Sequence, residues 1–212
     1  MANHGGIVLE QGFGQSPLRL EDTRLLRGEG HYTADLNLAG QAVMYILRTP
    51  HAHADIAAMD ASAASAAPGV IVVLTGADAA QDGLGVMAAA ERPNNRDGSP
   101  PFSPPQPVLA GDRVRYVGQP VALVVAETLA QARDAAELIE IDYQPLDTVG
   151  TLAAAAASDA VQLWDEAPGN VALDWQAGDF AETMAAFDAA AHVASLDLVD
   201  NRVMVMPMEP VA

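Results

Sequence analysis

Residues Arg115–Thr128 read RYVGQPVALVVAET, and LAQARDAAEL and IEIDYQPL follow without a break as far as Leu146. The apolar run Val121–Ala126 has the character of a buried strand, the Ala-rich stretch that of a helix, and Ile139–Tyr143 that of a second strand. Strand, helix and strand in this order make a βαβ pattern, an arrangement that often holds a dinucleotide. The junction between the first strand and the helix speaks against that use. Phosphate binding there needs glycines that let the backbone approach, and helix N–H groups free to meet the anion. The junction here is Ala126-Glu127-Thr128, which has no glycine and puts a carboxylate where a phosphate would sit. Thr128 and Gln131 have the spacing of a capping box, in which side chains occupy the free N–H groups. Upstream, Gly118-Gln119-Pro120 reads as a turn with proline at a strand start, where no N–H is needed. Gly118 is predicted to take a conformation closed to other residues, and Gln119 to tolerate replacement by alanine.

Outward from this unit, residues 1–18 read as an extended arm. Gln41–Arg48 (QAVMYILR) reads as a strand, as does the region of Asp55–Met59, and a short Ala/Ser helix is stopped by Pro68-Gly69. VIVVLTG (70–76) has the composition of a fully buried strand. Between Gln81 and Pro107 the stretch AERPNNRDGSPPFSPPQP carries six prolines, which predicts a long loop or flap with little that could pack. The strands and the capped helix are expected to form one mixed sheet. A boundary is expected between Pro145 and Ser158, giving a first domain over 19–148 and a second region over 149–212. In the last third, Asp179 and Glu182 mark a helix start. Phe180, Met184 and Phe187 fall on one face of that helix and are expected to be core. Two strands, HVASLDLV (192–199) and RVMVMPM (202–208), are expected to close back on it. The chain ends on MEPVA directly after an apolar strand, so it is expected to be part of something longer.

The 212 residues carry 28 acidic side chains against ten basic ones, all arginine, for a net charge of −18. The imbalance is uneven: residues 1–133 hold 13 acids and nine arginines (−4), whereas residues 134–212 hold 15 acids and only Arg202 (−14). Such a surface repels phosphate backbones, which argues against nucleic-acid binding. Half the residues are hydrophobic and none is cysteine. Disulfides, thiolate metal sites, cysteine nucleophiles and iron–sulfur ligation within this chain are therefore excluded. With no basic n-region and no apolar run of spanning length, a cytoplasmic protein without a membrane span is expected.

HAHAD (His51–Asp55) is the cluster with metal-ligand residue types: two histidines at i and i+2 on an extended segment point to the same side, and Asp55 could join them. A fourth ligand is missing, and nothing in the sequence brings His31 or His192 near. Loop histidines making hydrogen bonds are the favoured reading. The serines offer no G-x-S-x-G elbow. The neighbouring carboxylates Glu21-Asp22 and Asp165-Glu166 would face opposite ways in a strand. No catalytic, cofactor-binding or metal-binding residue is assigned in this chain.

Six segments, in order, resemble a known family. RLEDTRLLRGEGHYTAD (19–35), with Arg19, Glu21-Asp22, Arg24, Leu25 and G-x-G-x-Y-x-x-D at Gly28, Gly30, Tyr32 and Asp35, resembles the opening of the molybdenum-binding large subunits of the xanthine dehydrogenase, aldehyde oxidase and carbon monoxide dehydrogenase family. RTPHAHADI (48–56), PGVIVVLTGAD (68–78), VRYVGQPVALVVAET (114–128), AELIEIDYQPL (136–146) and EAPGNVALDW (166–175) follow in the family's order. The resemblance implies an α+β fold: a mixed-sheet α/β hammerhead domain followed by the first elements of a molybdenum-cofactor-binding domain.

The resemblance further implies the N-terminal portion or a split subunit of a molybdenum oxidoreductase, structural rather than catalytic by itself. In the complete enzyme a molybdenum–molybdopterin cofactor, in the cytosine dinucleotide form, would act with 2Fe-2S and FAD held by partner subunits or domains. None is expected in this chain alone. The partners would be the remainder of the molybdenum-binding subunit and the iron–sulfur and flavin subunits. Two rival readings are a stand-alone binding or scaffolding module of hammerhead fold and a small metal-dependent enzyme built on His51 and His53.

Overall fold

The computed structural model describes residues 19–87, 91–200 and 203. The expected arm, residues 1–18, and all of the expected strand 202–208 except Val203 lie outside the described residues. The chain divides into two compact units: the residues up to Ala39 with those from Asp197 onward, and Gly40–Leu196. In the first, a short helix α1 (Asp22–Leu26) follows an Arg19–Asp22 ion pair at 3.5 Å. A single 3₁₀ turn, Thr33–Asp35, is closed by the Asp35 carboxylate accepting from the Tyr32 N–H at 2.9 Å.

The second unit contains β1 (Val43–Arg48), β2 (Ala54–Asp60), α2 (Ser62–Ser65), β3 (Val70–Thr75), α3 (Gly76–Gln81) and β4 (Arg113–Val114). Then come β5 (Pro120–Ala126), α4 (Leu129–Ala136), β6 (Glu140–Pro145), α5 (Leu152–Ala155) and α6 (Phe180–Ala189). The strands form two three-stranded antiparallel sheets, ordered β1-β5-β3 and β4-β2-β6. The expected single mixed sheet is therefore two sheets, and β5 and β6 do not pair. Both edges of β5 are taken, by β1 in the register Val43↔Ala126 to Leu47↔Ala122 and by β3, so β6 ladders with β2 instead.

The helix between β5 and β6 lies against the first sheet. Ala132, Ala135 and Ala136 of α4 meet Ala122, Val124 and Ala126 of β5, with Ala64 of α2 in the same core. Alanine on both surfaces lets helix and strand approach closely, so enlarging Ala132 or Ala135 would overpack the contact at a cost of about 1–3 kcal/mol. Val114, Val121, Ala54 and Ala110 form a second core beside the other sheet, and Leu47, Met59 and Ile141 border both. These shared residues make the two sheets one unit.

At the start of α4 the Thr128 hydroxyl accepts from the Gln131 N–H at 3.3 Å and donates to the Gln131 side-chain oxygen at 2.8 Å. The Thr128 cap forms as the spacing predicts, but the capping box is not completed, because the Gln131 side chain bonds the Thr128 hydroxyl rather than its backbone N–H. Helix α3 is absent from the sequence reading, although Thr75 and Asp78 cap it reciprocally. Gly76 at its start passes so close to the Ala110 carbonyl that a Cβ would lie 2.3 Å from it.

Three expectations are corrected. β3 is an edge strand, and Ile71, Val72 and Leu74 are exposed rather than fully buried. Residues 192–199 form no strand and leave Val193, Leu196, Leu198 and Val199 exposed, since a strand needs a ladder partner. Phe180, Met184 and Phe187 share one face of α6 but are exposed rather than core. Among the described residues no helix is long and apolar enough to cross a membrane.

Candidate functional site

Among the described residues the buried polar side chains are Thr49, His53 and Gln119, on two loops that bond each other. Thr49 N–H donates to the Gln119 carbonyl at 3.0 Å, Gly118 N–H to the Thr49 carbonyl at 2.8 Å, and Arg48 to the Gly118 carbonyl at 2.9 Å. Gly118 has φ +86° with open space around its missing Cβ, so its requirement is conformational rather than steric. Gln119 departs from the sequence reading. Its buried side-chain oxygen accepts from Arg115 N–H at 2.8 Å, closing the turn from inside.

The three candidate metal ligands of HAHAD diverge. The His51 ring packs against Tyr143 with centroids 4.6 Å apart. His53 Nδ1 lies 2.7 Å from the Asp147 carbonyl oxygen, a contact that requires the proton on Nδ1, while Leu146 N–H donates to the His53 carbonyl at 3.0 Å. His53 Nε2 is buried without a hydrogen-bond partner. The Asp55 carboxylate takes the Nε–H of Arg113, and that hydrogen bond holds its carboxyl below the ordinary value of 3.8. The same-side geometry expected of i and i+2 fails because residues 51–53 bend before β2 begins at Ala54. Among the described residues no three His, Asp or Glu side chains are grouped to hold a metal ion.

What the site gathers instead is the chain beyond β6. His53 fastens residues 146–147. Arg115 fastens the next stretch: its Nε–H donates to the Leu163 carbonyl at 3.1 Å, and its guanidinium lies 3.6 Å from the centre of the Trp164 ring. Burial pushes the Arg115 guanidinium down from its ordinary value, and the neighbouring Arg113 adds to that. Phe102 reaches Trp164 at 5.8 Å between centroids.

The Pro-rich loop makes the third attachment. Asp174 N–H donates to Asn95 Oδ1 at 2.9 Å, and Arg96 N–H to the Asp174 carbonyl at 2.8 Å. The Arg96 side chain pairs with the Asp174 carboxylate at 2.8 Å, and Phe102 N–H donates to the Ala172 carbonyl at 2.9 Å. Asn170, at φ +58°, ties the segment to itself through Ala155, Val161 and Leu163. The loop expected to pack against little is thus held at its tip. A cavity of about 460 Å³ remains between it and residues 166–174, lined by Asp97, Glu166, Phe102 and the Arg96–Asp174 pair.

Arg115, Trp164, Asn170 and the Asn95/Arg96–Asp174 pairing were missed by sequence reasoning. The one available signal was EAPGN, whose asparagine tolerates a positive φ. At the cavity the Ser99 hydroxyl donates to the Asp97 carboxylate at 2.6 Å, a contact between neighbours in sequence that closes the loop. The polar groups of the site are used to hold backbone.

Comparison with known proteins places the chain. A family profile described as aldehyde oxidase and xanthine dehydrogenase, a/b hammerhead domain, matches residues 27–147. The chain is 40% identical over 191 residues, 90% of its length, to the nicotine 6-hydroxylase large subunit of Paenarthrobacter nicotinovorans, and covers 22% of that protein. It is 36% identical over 213 aligned residues to the carbon monoxide dehydrogenase large chain of Afipia carboxidovorans, covering 94% of this chain and 25% of that one. Among solved structures, quinoline 2-oxidoreductase from Pseudomonas putida 86 superposes with a TM-score of 0.60 at 43% identity, over 69% of this chain and 18% of that one. The Cu,Mo-CO dehydrogenase superposes with a TM-score of 0.64 at 35% identity, over 86% and 23%. This chain belongs to the aldehyde oxidase and xanthine dehydrogenase family and has its α+β hammerhead fold. It spans about a quarter or less of the length of these relatives.

Among the described residues, the side chains at these places do not fit a molybdenum cofactor. The free imidazole nitrogen of His53 stands alone, the Gln131 N–H at the α4 start is taken by Thr128, and in the cavity beside the Pro-rich loop the one guanidinium, Arg96, is already paired with Asp174 next to Asp97 and Glu166.

Proposed function

We propose that this chain is the N-terminal portion, or a split subunit, of the large subunit of a molybdenum hydroxylase of this family, and that its own role is structural. Residues 19–148 form the hammerhead domain, and residues 149–212 are the linker and the beginning of the molybdenum-cofactor-binding domain. The cofactor, a molybdenum–molybdopterin in the cytosine dinucleotide form, is held by the remainder of the large subunit. Iron–sulfur and flavin subunits complete the cytoplasmic enzyme. The hammerhead's part is to fix the path of the chain that follows it.

One observation carries this reading: the attachments from His53, Arg115 and the Asn95–Phe102 loop are made to residues 146–174, the backbone leading onward. The extent of the likeness, nearly all of this chain against a quarter or less of each relative, supports the same conclusion.

The test is metal analysis and dye reduction. Purified alone, the chain is expected to contain no molybdenum, flavin or iron and to reduce no dye with purine, aldehyde or carbon monoxide. Molybdopterin co-purifying with the isolated chain would overturn the structural assignment.

A further inference from the structure

Helix α6 has no buried residue, although Phe180, Met184 and Phe187 stand one above another at i, i+4 and i+7. These side chains are 65%, 43% and 52% exposed. A ten-residue helix is marginal in water by itself, and the Asp179 side chain, which accepts from the Glu182 N–H at 2.8 Å, supplies only about 1 kcal/mol of the deficit. An apolar stripe on such a helix is stabilised by the surface that covers it.

Charge and length identify the covering surface. Between Ala172 and Leu196 the acidic side chains are Asp174, Asp179, Glu182 and Asp188, and there is no lysine or arginine. Asp174 is taken by Arg96. A second copy would bring Asp179, Glu182 and Asp188 against their own kind, which is unfavourable. The carbon monoxide dehydrogenase large chain aligns over 94% of this chain, which carries the likeness through α6, and about three quarters of that relative lies outside the match.

We infer that the Phe180–Met184–Phe187 face of α6 is a docking face for the large-subunit polypeptide outside the matched quarter, which meets it with an apolar groove rimmed by arginine or lysine. This rests on the large-subunit reading above. The occupant's rim neutralises Asp179 and Asp188 while its groove takes the two phenylalanines and the methionine, so α6 is completed only in the longer polypeptide.

The test compares the 212-residue chain with a chimera in which it replaces the matched quarter of the nicotine 6-hydroxylase large subunit of Paenarthrobacter nicotinovorans. In the chain alone, α6 amides are expected to exchange with less than ~10-fold protection, and Met184→Glu to shift the Tm by less than ~2 °C. In the chimera, protection of α6 is expected to rise at least ~100-fold, and Met184→Glu to cut the yield of folded protein about tenfold. Equal destabilisation of the isolated chain by Met184→Glu would overturn the proposal, because the stripe would then be packed within the chain. A dimer of the isolated chain that Met184→Glu dissolves would overturn it in favour of a second copy. A folded chimera whose α6 exchanges as fast as in the chain alone would overturn it while leaving the large-subunit reading intact. A chimera that fails to fold even with the wild-type helix would count against both.

Discussion

The guanidinium carbon of Arg115 lies over the Trp164 ring, 3.6 Å from its centre, and the Arg115 Nε–H donates to the carbonyl of the residue just before that tryptophan. One side chain on the turn before β5 thereby holds both the backbone and the ring of a segment 48 residues further on.

Removing that hold should loosen the segment without unfolding the sheets. Arg115→Ala is expected to cost about 1–2 kcal/mol, the range of a partly desolvated cation–π contact. Arg115→Lys should recover less than half, since an ammonium lacks the planar fork. Urea unfolding gives the cost, and limited proteolysis should show faster cleavage within residues 147–165.

The turn makes opposite demands on adjacent residues. Gly118→Val should destabilise by about 1–2 kcal/mol because φ is +86°, and Gly118→Asn by less, asparagine being more tolerant of that region. Gln119→Ala removes a buried acceptor from Arg115 N–H and should also cost about 1–3 kcal/mol, the penalty of an unsatisfied buried donor. Thermal melts of the three variants decide this, and a silent Gln119→Ala would show that water replaces the oxygen.

The two histidines should separate cleanly. His53→Ala breaks the bond to the Asp147 carbonyl and is expected to raise the exchange rate of the amides of residues 146–150. His51→Phe preserves the ring contact with Tyr143 and should leave the melting temperature almost unchanged. Equal effects from the two would mean that ring packing, not the carbonyl bond, fixes the linker.

Acid stability depends on carboxylates whose folded pKa is depressed. Asp55 is lowered by the Arg113 hydrogen bond, Asp60 by the Ser62 N–H and Asp78 by the Thr75 hydroxyl. A depressed folded value contributes stability that is complete above the unfolded value of 3.8 and is lost as pH falls through the folded value. The difference in urea midpoint between wild type and Asp55→Asn should therefore be constant at neutral pH, begin to shrink as pH falls through 3.8, and vanish only below the depressed folded value. The pair is half-exposed, so added salt should shrink it.

Local chemistry was legible where it was self-contained. The caps at Thr128 and Asp179, the turn at Gly118 and the helix stop at Pro68-Gly69 each need only neighbours in sequence, and all are present. Strand partnership was not legible, because the run Val121–Ala126 is equally apolar whether its neighbours are parallel or antiparallel. The spacing of β5, α4 and β6 therefore suggested a pairing that β1 and β3 pre-empt. The site was the least legible part. Arg115 and Trp164, or Asn95 and Asp174, share no periodicity, and only the folded chain brings them together. The α6 stripe was read correctly as a face and wrongly as core, since periodicity reports which residues share a side and not what covers it.

The bond between Asn95 and Asp174 spans 79 residues of sequence. At roughly 5–20 residues per second of synthesis, the tip of the Pro-rich loop emerges about 4–16 s before its partner exists. During each round of translation the loop is therefore a nascent, uncapped strap, open to proteases and to binding by holdases. Cleavage at residues 95–102 should be a hazard of the growing chain far more than of the finished one.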